Sequence, residues 1–145
     1  SKAYGLAGLR VGYAIAPNRT EARLLRAAGS PYPVSNLAQR AAIACLRDTD
    51  GLAKAVDFAR AARARMSRLF TSLGASVLPS EANFLLLRFD DAAAAAMLSQ
   101  RLLDAGIAIR SYPETSSLAS YARLSCPVDD SGLQRLQKAL LGLLL

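Results

Sequence analysis

The hydrophobic period of this chain changes at Gly74, and that change limits the folds open to it. Before it, residues 52–73 carry apolar side chains at helical spacing. Val56, Ala59, Ala62, Met66, Leu69, Phe70 and Leu73 form one stripe. After Gly74, short apolar runs alternate with helical ones. Residues 75–78 and 83–89 read as strands around a Pro79-Ser80 turn, and 91–105 as a helix stopped by Gly106. Residues 107–110 and 120–125 read as two more strands. Residues 129–144 read as a closing helix with Leu133, Leu136, Leu140 and Leu143 on one side. A long helix followed by such a module predicts a small α+β domain with its own core.

The first 50 residues have a different character. Residues 9–16 alternate as a strand does, with Leu9, Val11, Tyr13 and Ile15 on one face and Pro17-Asn18 ending the run. Thr20 can cap a short helix over 21–28, which Gly29 stops. Ser30-Pro31-Tyr32-Pro33 is extended, because each proline keeps the residue before it out of helical geometry. Ser35 or Asn36 can cap a helix to about residue 47, before a polar break over 48–50. We therefore divide the α/β chain into 1–50, the end of a larger domain, and 51–145, a connecting helix with a small domain.

Composition excludes several functions. Of 145 residues, 52% are hydrophobic and 20% charged, which fits a folded and not a disordered chain. No apolar run is long enough to cross a bilayer, and no secretory signal opens the sequence. There is no histidine, so no histidine base operates from within this chain. Cys45 and Cys126 have neither metal-ligand nor redox spacing; we read both as reduced core thiols of a cytoplasmic protein. No metal site is expected. The net charge of +7 comes from arginines spread along the chain. Arg60, Arg63, Arg65 and Arg68 fall in the long helix and read as a solvated face. No aromatic set is interleaved with them, so neither nucleic acid nor membrane is an expected partner. Ser1 stands where an initiator Met would, which fits an artificial start or a piece of a longer polypeptide.

Two groups of residues can carry chemistry. The first is the opening string SKAYGLAGLRVGYAIA. Lys2 is a poor nucleophile while protonated and a good one when burial or a nearby cation favours the free amine. Arg10, eight residues on, can supply that cation or grip a phosphate with its forked donors. Gly5 and Gly8 let the backbone turn between them, and the Ser1 hydroxyl suits a phosphate oxygen. The second is Arg110 and Arg123, 13 residues apart on two successive predicted strands. A returning strand can bring both heads to one edge, where two guanidiniums bind a phosphate or carboxylate.

These strings resemble the pyridoxal-phosphate-dependent aminotransferases of classes I and II, in particular the histidinol-phosphate aminotransferase group. The family string S-K-x-[FY]-x-L-A-G-L-R matches residues 1–10, and P-Y-x-V-S matches 31–35. S-x-A-N-F matches 80–84, G-I-x-x-R matches 106–110, and [LA]-R-[IL]-S matches 122–125. The resemblance implies the end of the large domain of a fold type I enzyme plus its small C-terminal domain. It implies that Lys2 holds the cofactor as a Schiff base and that Ser1 and Arg10 bind its phosphate. Arg123 then grips the anionic end of the substrate, with Arg110 as its helper. The implied partners are an amino acid or amino phosphate, a 2-oxo acid, and a second subunit in a homodimer.

One departure stands out. Relatives of histidinol-phosphate aminotransferase commonly continue the last arginine strand with Gly-Thr, whereas here it runs Ser125-Cys126-Pro127. This loosens the substrate assignment and keeps the threonine-phosphate decarboxylases of cobalamin biosynthesis as an alternative. A non-catalytic isolated C-terminal domain is a third reading. In the family the phosphate loop, the stacking aromatic ring and the aspartate facing the pyridine nitrogen all precede the lysine. The chain by itself is therefore expected to bind pyridoxal phosphate poorly and not to transaminate.

Overall fold

The computed structural model describes residues 2–142, so the expectations for Ser1 and Leu143 lie outside the described residues. Two compact units, Ser1–Ala55 and Val56–Leu145, divide the chain.

In the first unit, side-chain caps decide where helices begin. Helix α1 (Arg19–Ala27) is capped by Asn18, not by Thr20 as expected. Asn18 lies three residues before Glu21, so its Oδ1 accepts from the Glu21 N–H at 3.0 Å. Its Nδ2 donates to Glu21 Oε1 at 3.0 Å, closing a reciprocal box. Helix α2 (Asn36–Arg47) begins where Ser35 Oγ accepts from the Ala38 N–H at 3.2 Å. The polar break expected over 48–50 shrinks to Asp48, which separates α2 from α3 (Thr49–Ser72) and accepts from the Gly51 N–H at 2.8 Å.

The strand expected over residues 9–16 does not form. Ala7–Leu9 is a turn of 3-10 helix, and Arg10 follows it at φ +49°. Among the described residues no strand lies beside 11–16, and Tyr13 and Ile15 are 76% and 87% exposed. Alternation in the sequence supplies the faces of a strand but not the neighbour whose N–H and C=O groups would complete it. Cys45 is only partly buried, so it is not the core thiol expected; its Sγ lies 4.0 Å from the Tyr4 carbonyl oxygen.

The second unit is a three-stranded antiparallel sheet in the order β1-β2-β3, from β1 (Ser76–Val77), β2 (Phe84–Arg88) and β3 (Tyr121–Ser125). Helices α4 (Ala92–Asp104) and α5 (Asp130–Leu141) complete it. Alternation places Leu85 and Leu87 of β2 with Ala122 and Leu124 of β3 on the buried face. Ala62, Met66 and Phe70 of α3, Leu102 of α4, and Leu133, Leu136 and Leu140 of α5 pack with Leu85, Leu87 and Leu124 in one cluster. The opposite face carries Phe84, Leu86 and Arg88 beside Ser125, Arg123 and Tyr121.

The strand expected over 107–110 contributes a single paired residue, Arg110. Its first residues are committed to the end of α4: the Gly106 N–H bonds the Leu103 carbonyl and the Ile107 N–H the Leu102 carbonyl, each at 2.8 Å. Gly106 takes φ +74°, a left-handed turn that a residue with a Cβ resists.

Helix α5 is capped by Asp129, whose Oδ1 accepts from the Gly132 N–H at 2.9 Å and the Ser131 hydroxyl at 2.7 Å. The Gly132 bond, then the Ser131 hydroxyl, holds its carboxyl below the ordinary value. A lowered folded-state pKa contributes stability above the unfolded pKa that is lost as pH falls through the folded value. Asp129→Asn keeps an accepting oxygen without the titration. Its melting temperature is expected to fall below that of the parent near neutrality. The gap should close in acid below about pH 4, where unfolded carboxyls protonate.

Candidate active site

The arginine half of the expected site is built by strand pairing. The Arg110 N–H donates to the Arg123 carbonyl at 3.0 Å, and the Arg123 N–H returns a bond to the Arg110 carbonyl at 2.8 Å. Residues that exchange both bonds in an antiparallel pair are directly opposite and present their side chains on the same face. The two arginines are therefore cross-strand neighbours. Like charges so placed repel one another. Neither guanidinium makes an ion pair or side-chain hydrogen bond among the described residues.

An aromatic ring lies near each. Arg123 Cζ lies 5.1 Å from the centre of the Phe84 ring, which sits diagonally across β2. Arg110 Cζ lies 6.0 Å from the centre of the Tyr112 ring. Arg123 Nε is buried and has no hydrogen-bond partner among the described residues. A buried charged donor left unpaired is costly, so nearby negative charge is favoured there. A cavity of about 800 Å³ runs along this edge, lined by Arg110, Arg123, Ser125, Pro127 and Arg135 among others.

The turn before β2 positions Phe84. Ser80 Oγ donates to the Phe84 carbonyl at 2.7 Å and accepts from the Ala82 N–H at 3.2 Å. Arg63, expected on a solvated face, instead reaches over this turn. Its Nη1 donates to the Ala82 carbonyl at 2.8 Å and its Nη2 pairs with Glu81 Oε2 at 2.9 Å. Arg60 and Arg65 do pair at the surface, with Asp57 and Asp130. Asn83 uses its backbone carbonyl to accept from the Cys126 N–H at 2.8 Å. Burial pushes the Cys126 thiol up, and the charge of Arg63 opposes this. Ser80→Ala is expected to cost about 1 kcal/mol of stability, read from urea denaturation, because the turn loses its side-chain bonds.

The lysine end lies in the first unit. The Gly5 N–H bonds the Lys2 carbonyl at 3.1 Å, with Gly5 at φ +64°. The Arg10 N–H bonds the Ala7 carbonyl at 3.4 Å, and Arg10 Nη1 donates to that carbonyl at 2.9 Å. Lys2 and Arg10 thus flank a loop of two hydrogen-bonded turns, and both are exposed. Ser1 lies outside the described residues.

Two neighbours of the arginine pair were given no role from the sequence. Phe84 shares a face with Arg123 only once the register of β2 against β3 is known. Arg135 sits among the polar positions of α5 and reads there as an ordinary surface residue.

The comparisons show a family. Residues 1–140 match the family model for aminotransferase class I and II, and the chain belongs to that family. It is 45% identical over 111 residues to a histidinol-phosphate aminotransferase 2 of Ralstonia nicotianae, covering 76% of this chain and 29% of that protein. The crystal structure of histidinol-phosphate aminotransferase from Sinorhizobium meliloti, in complex with pyridoxal-5'-phosphate, is 34% identical with a TM-score of 0.85. That match covers 97% of this chain and 38% of the other. L-threonine-O-3-phosphate decarboxylase from Porphyromonas gingivalis superposes less closely, with a TM-score of 0.66 and 30% identity over 98% of this chain and 44% of that one. The chain thus spans less than half the length of these relatives.

Pyridoxal phosphate is the family's cofactor, and the donors present suit it. An exposed primary amine and an exposed guanidinium, with one Nη committed to the Ala7 carbonyl, flank the same loop. An amine matches the cofactor's aldehyde, and a guanidinium matches its phosphate.

Proposed function

We propose that the protein carrying this sequence moves an amino group between an anionic amino compound, of the class of histidinol phosphate, and a 2-oxo acid. The directly opposed Arg110 and Arg123, like charges without an ion-pair partner among the described residues, carry this reading. Two guanidiniums on one face give an anion a bidentate or bridging seat, which offsets their repulsion.

Pyridoxal phosphate, when bound, supplies an aldehyde that exchanges amines and a ring that draws electrons from the substrate. This chain's residues do the rest. Lys2 Nζ would hold the cofactor, and as a free amine would carry a proton to and from the substrate carbon as general base and then acid. Arg10, with Ser1 beside Lys2, grips the cofactor phosphate. Arg123, assisted by Arg110, orients the substrate by its anionic end. Residues 1–50 belong to the cofactor-binding domain and 51–145 to the connecting helix and small domain.

Among the described residues no helix is long and apolar enough to cross a membrane. That fact and the bacterial sources of the relatives support a cytoplasmic location. The homodimer rests on the family resemblance alone. The test is an assay of the full-length gene product. Histidinol phosphate with 2-oxoglutarate should yield glutamate. Threonine phosphate supplied alone should yield no aminopropanol phosphate, and its appearance would replace this reading with the decarboxylase.

A further inference from the structure

We infer that Arg135 is a positioning residue for the arginine pair, acting through the backbone at Gly106; the inference rests on the anion-binding reading above. The segment that delivers Arg110 is held thinly. Ile107 and Ile109 pack against the core, but Arg110 makes the segment's single paired position with β3. Its root is the left-handed turn at Gly106, which the Gly106 and Ile107 N–H groups tie back to α4. That leaves the Gly106 carbonyl, and Arg135 Nη2 of α5 donates to it. The fit is close: a Cβ added at Gly106 would stand 3.4 Å from the same Nη2. Arg135 also lines the cavity that Arg110 and Arg123 line. One guanidinium thus connects α5 to the exit of α4, the point from which the Arg110 segment departs. A shift at that point changes where Arg110 stands opposite Arg123, and two-point recognition of an anion is sensitive to that placement.

The test is a double-mutant cycle in the full-length protein, with affinity for histidinol phosphate and for inorganic phosphate read by calorimetry. Arg135→Gln is expected to weaken histidinol phosphate about fivefold, the loss suited to one hydrogen bond acting at a distance. In an Arg110→Gln background it should add nothing, because the residue it positions is already gone. Arg135→Lys, which keeps a donor for the carbonyl, should restore most of the affinity. Melting temperatures should stay near the parent's, since Arg135 is exposed. Unchanged affinity in Arg135→Gln would overturn the inference. So would full additivity with Arg110→Gln, which would make Arg135 an independent contact. Arg123→Gln is the control for the underlying reading: if it leaves both affinities unchanged, the arginine-pair site itself falls and the inference with it.

Discussion

Lys2→Ala in the full-length protein is expected to lower turnover about a thousandfold, the scale of losing a group that transfers protons at the reacting carbon. Substrate affinity should change little, because in this account the anion is held by Arg110 and Arg123 and not by Lys2. Lys2→Arg is the informative companion. It keeps the positive charge and much of the length, but a guanidinium stays protonated and cannot serve as nucleophile or base. Its activity should match that of Lys2→Ala. Steady-state kinetics on both variants check the prediction, and recovery of activity in Lys2→Arg would show that charge alone was needed.

Arg123→Gln is expected to raise KM for histidinol phosphate about ten- to a hundredfold, as charge-assisted hydrogen bonds in a partly buried site are worth that much. The effect on kcat should be smaller, since the residue orients substrate and does not touch the bond being broken. Arg123→Lys should recover only part of the loss, because an ammonium is a point charge without the planar fork. Stability should change little. The substitution removes one of two directly opposed like charges and forfeits the stacking on Phe84, two effects of similar size and opposite sign. A thermal melt beside the kinetic assay separates a binding role from a structural one.

Those two residues also show what a sequence of this kind discloses. The helices of the second unit follow from stripes such as Ala62, Met66 and Phe70 and from stops such as Gly74 and Gly106. These signals lie within a few residues of one another. The spacing of Arg110 and Arg123 pointed to one edge, and the pairing across β3 places them opposite each other. What the sequence withheld depends on distant partners. Residues 9–16 alternate as a strand should, yet a strand exists only beside another strand. Arg63 reads as a surface charge on its helix, and only the fold brings the 80–84 turn within its reach. Phe84 under Arg123, and Arg135 at Gly106, are likewise contacts between elements far apart in the chain. Motif resemblance reached the lysine loop because its residues are contiguous, which long-range contacts are not.

The role of the amine can be read chemically. The full-length protein, saturated with pyridoxal phosphate, is reduced with borohydride, digested, and mapped for the lysine that has gained the cofactor's mass. This sequence offers three candidates, Lys2, Lys54 and Lys138. The account predicts modification at Lys2 and loss of the signal in Lys2→Arg; modification at Lys54, at Lys138 or at a lysine elsewhere in the protein, with Lys2 untouched, would contradict it.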